Sequence, residues 1–405
     1  VLARCTTAFK SHFGVDAVPG FRGRIADNSR YFVPELLGLR GVGIGMVLMG
    51  HLLQRVDRFT LDQQQISALR ASFLFFFADP FAGCGILFCI SGYTLCSYIG
   101  RTLNSSARNV LVSYLFRRLM RLWTPYFVVL MVTFIFLKIT GYNPVGTNQY
   151  YTVPTSLTMS LFGSLTFTHD LAFGTFPRLF PPGWFIETLV QFYIIGQFFI
   201  NFYLRLSNEK DRIWLGLCLL IFFLGAASIN VQYGPKETQY SLMTFMPYLW
   251  TGVILADLEL FSNGHPLRRA LRNTSYLGWP SLGVFFIFGA PFGNGILRLA
   301  ALIICLFFIF NASFAAGTRF QRAMVGRWLT RIGVASYAIF LVHLQILQVT
   351  IPIILHASNI MNIFPAFVVC GMVCVPLVMA VSVAFYWLVE RPFVVAAKRI
   401  SLITA

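Results

Sequence analysis

Two polar residues, Arg40 and His51, stand in an apolar, glycine-studded run near the start of the chain. They are eleven residues apart. At about 100° and 1.5 Å per residue, both lie on one stripe of a helix, about 16 Å apart along its axis. A fixed cation and a titratable imidazole on one face of a helix immersed in lipid mark a candidate functional site. Imidazole titrates near neutral pH without a large perturbation, so His51 suits proton exchange with a hydroxyl group. The competing reading is topological: Arg40 marks the cytoplasmic end of the helix and His51 the opposite headgroup region.

Other groupings bear on chemistry. Arg117 and Arg118 each fall one helical turn from Arg121, so three guanidinium groups can converge. Guanidinium grips phosphate through two parallel hydrogen bonds, although a positive-inside anchor explains the same cluster. Glu187 follows Pro181-Pro182-Gly183-Trp184 and opens an otherwise uncharged run. There it either stabilises a helix start or faces a cavity. Ser336 and His343 are seven residues apart and share a helix face; His343 is either a hydrogen-bonded core residue or part of a polar pocket. Glu390-Arg391-Pro392 ends the last apolar run, where a Glu–Arg pair can lock helix ends. Gly83, Gly85 and Gly92 suit close helix packing. Gly41, Gly43 and Gly45 are not a dinucleotide fingerprint, because no strand precedes them.

The elements that must hold these groups are membrane helices. Of 405 residues, 57% are hydrophobic and 11% charged, against the roughly 25% charged of a soluble protein. Apolar runs cover 37–54, 80–99, 122–139, 154–168, 184–204, 213–229, 240–256, 276–292, 297–316, 332–355 and 364–389. Most reach the ~20 residues needed to cross the hydrocarbon core. The fold class is all-α, a polytopic transmembrane helical bundle. The net charge of +17 reports orientation rather than nucleic-acid binding. The eight cysteines show no metal-ligand spacing, and Cys84, Cys89, Cys96, Cys370 and Cys374 read as packing residues. No metal site is expected.

Charge decides the topology. With the basic tail inside and 154–168 not crossing, Arg205, Lys210, Arg212, Arg268, Arg269, Arg272, Arg319, Arg322, Arg327, Arg331, Lys398 and Arg399 all fall inside. This predicts ten crossings with both termini cytoplasmic. Segment 154–168 is then half-inserted or interfacial, and 154–183 roofs the site from outside. The expected organisation is a basic cytoplasmic tail (1–30), a membrane domain (31–395) and a second cytoplasmic tail (396–405).

From Tyr31 to Phe393 these pieces stand in the order of a known family. They include Glu35-Leu36-Leu37-Gly38-Leu39-Arg40-Gly41 with His51 following, and the stretch Leu87 to Tyr93. They continue through Arg118-x-x-Arg121 and Trp184 with Gln191-Phe192-Tyr193. Ser336, Tyr337, Leu341 and His343, then Glu390-Arg391-Pro392, complete the series. Together they resemble the acyltransferase 3 family of integral-membrane O-acyltransferases. The chain departs from the family pattern at Leu37, where Asp is usual, and at Leu189, where Glu is usual. In the second case the nearby acid is Glu187, so the role of the family Glu is either moved there or lost.

The resemblance implies transfer of an acyl group, often acetyl, from cytoplasmic acyl-CoA to a hydroxyl of a carbohydrate, lipid or small molecule. It implies His51, Arg40 and Glu187 as catalytic residues, and Arg117, Arg118 and Arg121 as the donor-phosphate site. Ser91, Tyr93, Trp184, Ser336, Tyr337 and His343 are the implied substrate pocket. Acyl-CoA is then a donor substrate, no cofactor is permanently bound, and the partners are the acceptor and the bilayer. A transporter or flippase using Arg40, His51 and Glu187 as an intramembrane polar path is the alternative. The absence of repeated halves speaks against it.

Overall fold

The apolar runs become helices. The computed structural model describes residues 33–60, 80–103, 109–141, 156–262, 264–288, 295–360 and 362–393. Among them all extended regular structure is helical. Residues from Glu35 onward cluster as one unit; the preceding unit, Val1–Pro34, lies almost wholly outside the described residues. The two expected tails, 1–30 and 396–405, and most of the loop 140–153 also lie outside them.

Helices α1 (Pro34–Thr60), α2 (Pro80–Thr102) and α3 (Asn109–Thr140) follow the first three apolar runs. The short α4 (Leu157–Leu165) and α5 (His169–Phe173) precede α6 (Gly183–Leu204). Then come α7 (Glu209–Tyr233), the one-turn α8 (Lys236–Gln239) and α9 (Leu242–Leu260). Next are α10 (Pro266–Asn273), α11 (Gly278–Phe288) and α12 (Gly295–Phe314). Short α13 (Arg319–Met324) and α14 (Arg327–Val334) lead into α15 (Ser336–Ser358) and α16 (Ile363–Phe385). The last helix runs on through a π-helical turn, Tyr386–Glu390. Side-chain caps set several starts: Ser156, Asn208, Ser241 and Thr318 each accept a backbone N–H of the following turn.

Eight described helices, α1, α2, α3, α6, α7, α12, α15 and α16, are long and apolar enough to cross a membrane. With nine residues, α4 is too short to span. The other two expected crossings, 240–256 and 276–292, are not among these eight. Helix α11 has only eleven described residues. Helix α9 has nineteen but carries Asp257 and Glu259 near its end, and every residue from Thr244 to Leu258 is buried. It is the central post of the bundle, not an outer apolar rod.

Small residues explain how α9 reaches the centre. A Cβ at Gly92 of α2 would lie 1.8 Å from the Leu249 carbonyl oxygen, and one at Gly252 of α9 would lie 1.9 Å from that of Cys89. Backbone therefore meets backbone, and neither position tolerates a side chain. A buried ion pair fastens the other side of α9. Arg212 of α7 donates to both oxygens of Asp257 at 2.8 Å, Nε to Oδ2 and Nη2 to Oδ1. The Tyr203 hydroxyl at 2.7 Å and Ser262 Oγ at 2.9 Å also donate to this carboxylate, so its remaining lone pairs are satisfied.

Candidate active site

Helix α1 carries both residues of the polar stripe, and its glycines let α2 press against it. A Cβ at Gly83 would meet the Gly43 carbonyl oxygen at 2.2 Å. Leu39, Val47 and Leu52 are wholly buried, so packing fixes the rotation of α1 and hence the bearing of Arg40 and His51.

Arg40 opens into a pocket of about 90 Å³. Its polar lining is Arg40, Ser91, Arg118, Arg121, Tyr193, Ser336 and Tyr337; its apolar wall includes Leu87, Leu122, Phe185, Leu189 and Phe340. Three guanidinium groups from α1 and α3 thus face one space. Arg118 is held in place: its Nε and Nη2 donate to the Tyr193 hydroxyl at 3.2 and 3.0 Å, and Nη2 also reaches Thr94 Oγ1 at 3.3 Å. Arg121 Nη2 pairs with Glu390 Oε1 at 3.4 Å, its own side chain 41% exposed and Glu390 wholly buried. Glu390 ends the π-helical turn; such turns displace a residue from its helical position. Tyr337 donates its hydroxyl to the Leu122 carbonyl oxygen and so docks the start of α15 on α3. Three cations against one carboxylate favour an anion here. The space suits a phosphate or the end of a chain, being well below the ~300–1,000 Å³ of a site that swallows a whole small molecule.

The other end of the stripe holds a histidine pair. His51 Nδ1 lies 2.9 Å from His343 Nε2, and the rings stack with centroids 5.0 Å apart. His343 is completely buried on α15, and its Nδ1 is 3.0 Å from the Ile339 and 2.7 Å from the Phe340 carbonyl oxygen. Phe340, one turn before it, lines the arginine pocket and lies 6.0 Å from the His343 ring. Phe185 and Phe180 pack on Phe340 at 5.1 and 5.6 Å. An aromatic cluster therefore separates the guanidinium pocket from the imidazoles.

Several residues predicted from the sequence lie elsewhere. Glu187 is buried, and its carboxylate accepts from the backbone N–H of Asp170 at 3.1 Å and Leu171 at 3.4 Å. It does not line the pocket, whereas Leu189 does. The Glu187 carboxylate anchors the start of α5. Trp184 packs among Phe81, Phe88, Tyr240 and Phe245, also off the pocket. Tyr93 is buried against Phe310 and Phe314. Arg117 is not among the pocket residues, so two arginines of the α3 cluster converge there with Arg40 rather than three. The Glu390 lock is with Arg121, while Arg391 lies 4.1 Å over the Trp387 ring.

Two features escaped the sequence reading. Tyr193, which the sequence presents only within the Gln191-Phe192-Tyr193 motif, is the anchor of Arg118; it shares a helix face with the pocket residue Leu189 at the i, i+4 spacing, which is a usable signal. The second lies in the segment before α6. Ser160 Oγ is 3.0 Å from His169 Nε2 and accepts the Arg178 N–H at 3.1 Å, and His169 Nδ1 is 3.1 Å from the Thr175 carbonyl oxygen. Burial pushes the His169 pKa below its ordinary value, partly countered by the hydrogen bond to Thr175.

Fold and site define a multi-pass helical membrane protein with polar machinery enclosed between its helices. A model of the acyltransferase 3 family, described as an acyltransferase domain, matches residues 33–387. The chain belongs to that family and is an integral-membrane acyltransferase. Comparison with curated proteins and with solved structures finds no match.

Proposed function

We propose that the protein moves an acyl group, acetyl in the first instance, from acyl-CoA to a hydroxyl of a carbohydrate, lipid or small-molecule acceptor. The observation that carries this reading is the placement of Arg40 and His51 on one helix. One faces a pocket with Arg118 and Arg121, and the other pairs with His343. Donor phosphates suit the arginines. The pocket is too small for a nucleotide, so most of the donor stays outside it, and the Phe180, Phe185 and Phe340 cluster must part for an extended arm to carry the thioester to His51. Their separation of about 16 Å is of the order of that arm's reach.

His51 acts as general base. It takes the proton of the acceptor hydroxyl as the oxygen attacks the thioester carbonyl. The carbon–sulfur bond then breaks, CoA leaves as thiolate, and the proton passes from His51 to that sulfur. An acyl-histidine intermediate is the covalent variant of the same path. The phosphate-binding end faces the cytoplasm, where acyl-CoA is found, with both chain termini on that side. Detergent-purified protein incubated with labelled acetyl-CoA and cell-derived acceptors should release CoA and label an acceptor. Binding of the donor without any hydrolysis or transfer would contradict the reading.

A further inference from the structure

The histidine pair has a proton order that the heavy atoms dictate. Nδ1 of His343 lies within 3.0 Å of two backbone carbonyl oxygens, Ile339 and Phe340. Carbonyl oxygens only accept, so this nitrogen must carry a proton; a bare nitrogen would set its lone pair against theirs. A doubly protonated ring would place a full charge on a completely buried side chain within an apolar bundle. His343 is therefore neutral, and its Nε2 is an acceptor. The atom 2.9 Å away is His51 Nδ1, which must donate. In neutral His51 the lone pair is then on Nε2.

We infer that His343 is a positioning residue that fixes His51 as the Nδ1–H tautomer, so that His51 Nε2 is the nitrogen that removes the acceptor proton. The inference rests on the acyl-transfer reading for its consequence, but not for its geometry. The backbone of α15 acts through His343 on His51 as an orienting carboxylate acts on a catalytic histidine in other enzymes. A single neutral imidazole in solution divides its proton between both nitrogens; the chain of contacts from Ile339 and Phe340 removes that freedom. The stacked rings, 28° from coplanar, add orientation to tautomer choice.

The direct test is nitrogen NMR of the full chain in detergent, labelled with [15N]histidine. Among the six histidines, the signals of these two are assigned by their loss in His51→Gln and His343→Gln variants. The expected result is a protonated Nδ1 and bare Nε2 for both residues. A protonated Nε2 on His51 or on His343 overturns the inference whatever the enzyme does. The kinetic arm uses His343→Leu, which fills the space without an acceptor, and His343→Gln, whose amide oxygen can take the place of Nε2. His343→Leu should lower kcat by about 10²-fold or more with the donor KM unchanged, toward the ~10⁴ seen when a catalytic histidine is held in the wrong tautomer. His343→Gln should recover most of the rate. A folded His343→Leu protein with wild-type kcat overturns the positioning role. Expected tautomers in a protein without transferase activity would sink the functional reading and leave the pair intact.

Discussion

Arg118 is fixed to Tyr193 by two guanidinium N–H groups on one hydroxyl, at 3.2 and 3.0 Å, across the space between α3 and α6. The arginine is thus pre-set before any ligand arrives, and its side-chain entropy is already lost. If it holds donor phosphate as proposed, remote from the reacting atoms, it contributes ground-state binding. Arg118→Ala should raise the donor KM more than it lowers kcat. Tyr193→Phe, which releases the anchor, should raise KM roughly tenfold, the scale of one hydrogen bond to a charged group. Arg118→Lys should rescue only in part, for want of the planar fork. Steady-state kinetics with varied acyl-CoA checks all three, and an unchanged KM in Arg118→Ala would return this arginine to a topological anchor.

Glu187 accepts two backbone N–H groups and so belongs to the stability of the segment before α6. Glu187→Ala strands both donors and should cost about 1–3 kcal/mol. Glu187→Gln keeps one acceptor and should cost less. The folded fraction of either variant should turn over near the wild-type rate. Thermal unfolding beside single-turnover assays separates the roles: a normal melting curve with a hundredfold slower turnover would place Glu187 in the chemistry.

Much of the bundle is legible in the sequence because lipid imposes a strong and simple pattern. The apolar runs at 80–99, 184–204 and 297–316 lie within α2, α6 and α12 to a few residues. Helical periodicity alone puts Arg40 and His51 on one stripe. What it cannot give is which stripe meets which. His51 and His343 are 292 residues apart, and Arg121 and Glu390 are 269 apart. Each of these pairs is a property of tertiary packing. Helix α9 hides its place for a related reason: a helix apolar on all sides looks the same at the centre of the bundle as against lipid. Helical periodicity does place Glu187 about half a turn from Leu189 and off the Leu189–Tyr193 face.

Acid should weaken the segment around α5 through His169. Its folded-state pKa lies below the ordinary 6.5, first because the ring is buried. As pH falls, the unfolded chain therefore takes up the proton before the folded protein does. Stability is constant above about pH 6.5 and declines below it until the folded pKa is passed. Melting temperatures recorded from about pH 7.5 to about pH 5 should fall, and His169→Gln should reduce that slope. Identical slopes in wild type and variant would remove His169 as the titrating group.

The positive-inside distribution makes a separate prediction about orientation. A topology reporter fused after Arg272 should read cytoplasmic, and one within 141–153 should read outside. Opposite readings at both points would reverse the proposed entry side for the donor.

The central claim is that His51 is the base of an acyl transfer. His51→Gln retains similar size and a hydrogen-bonding amide, so expression and thermal stability should stay near wild type. Transfer of label from acetyl-CoA to acceptor should fall by the ~10²–10⁴ typical of a lost acid–base group, with donor binding retained. The measurement is single-turnover transfer of labelled acetyl by purified wild-type and His51→Gln protein, matched for folded fraction. Wild-type turnover in the variant would contradict the account.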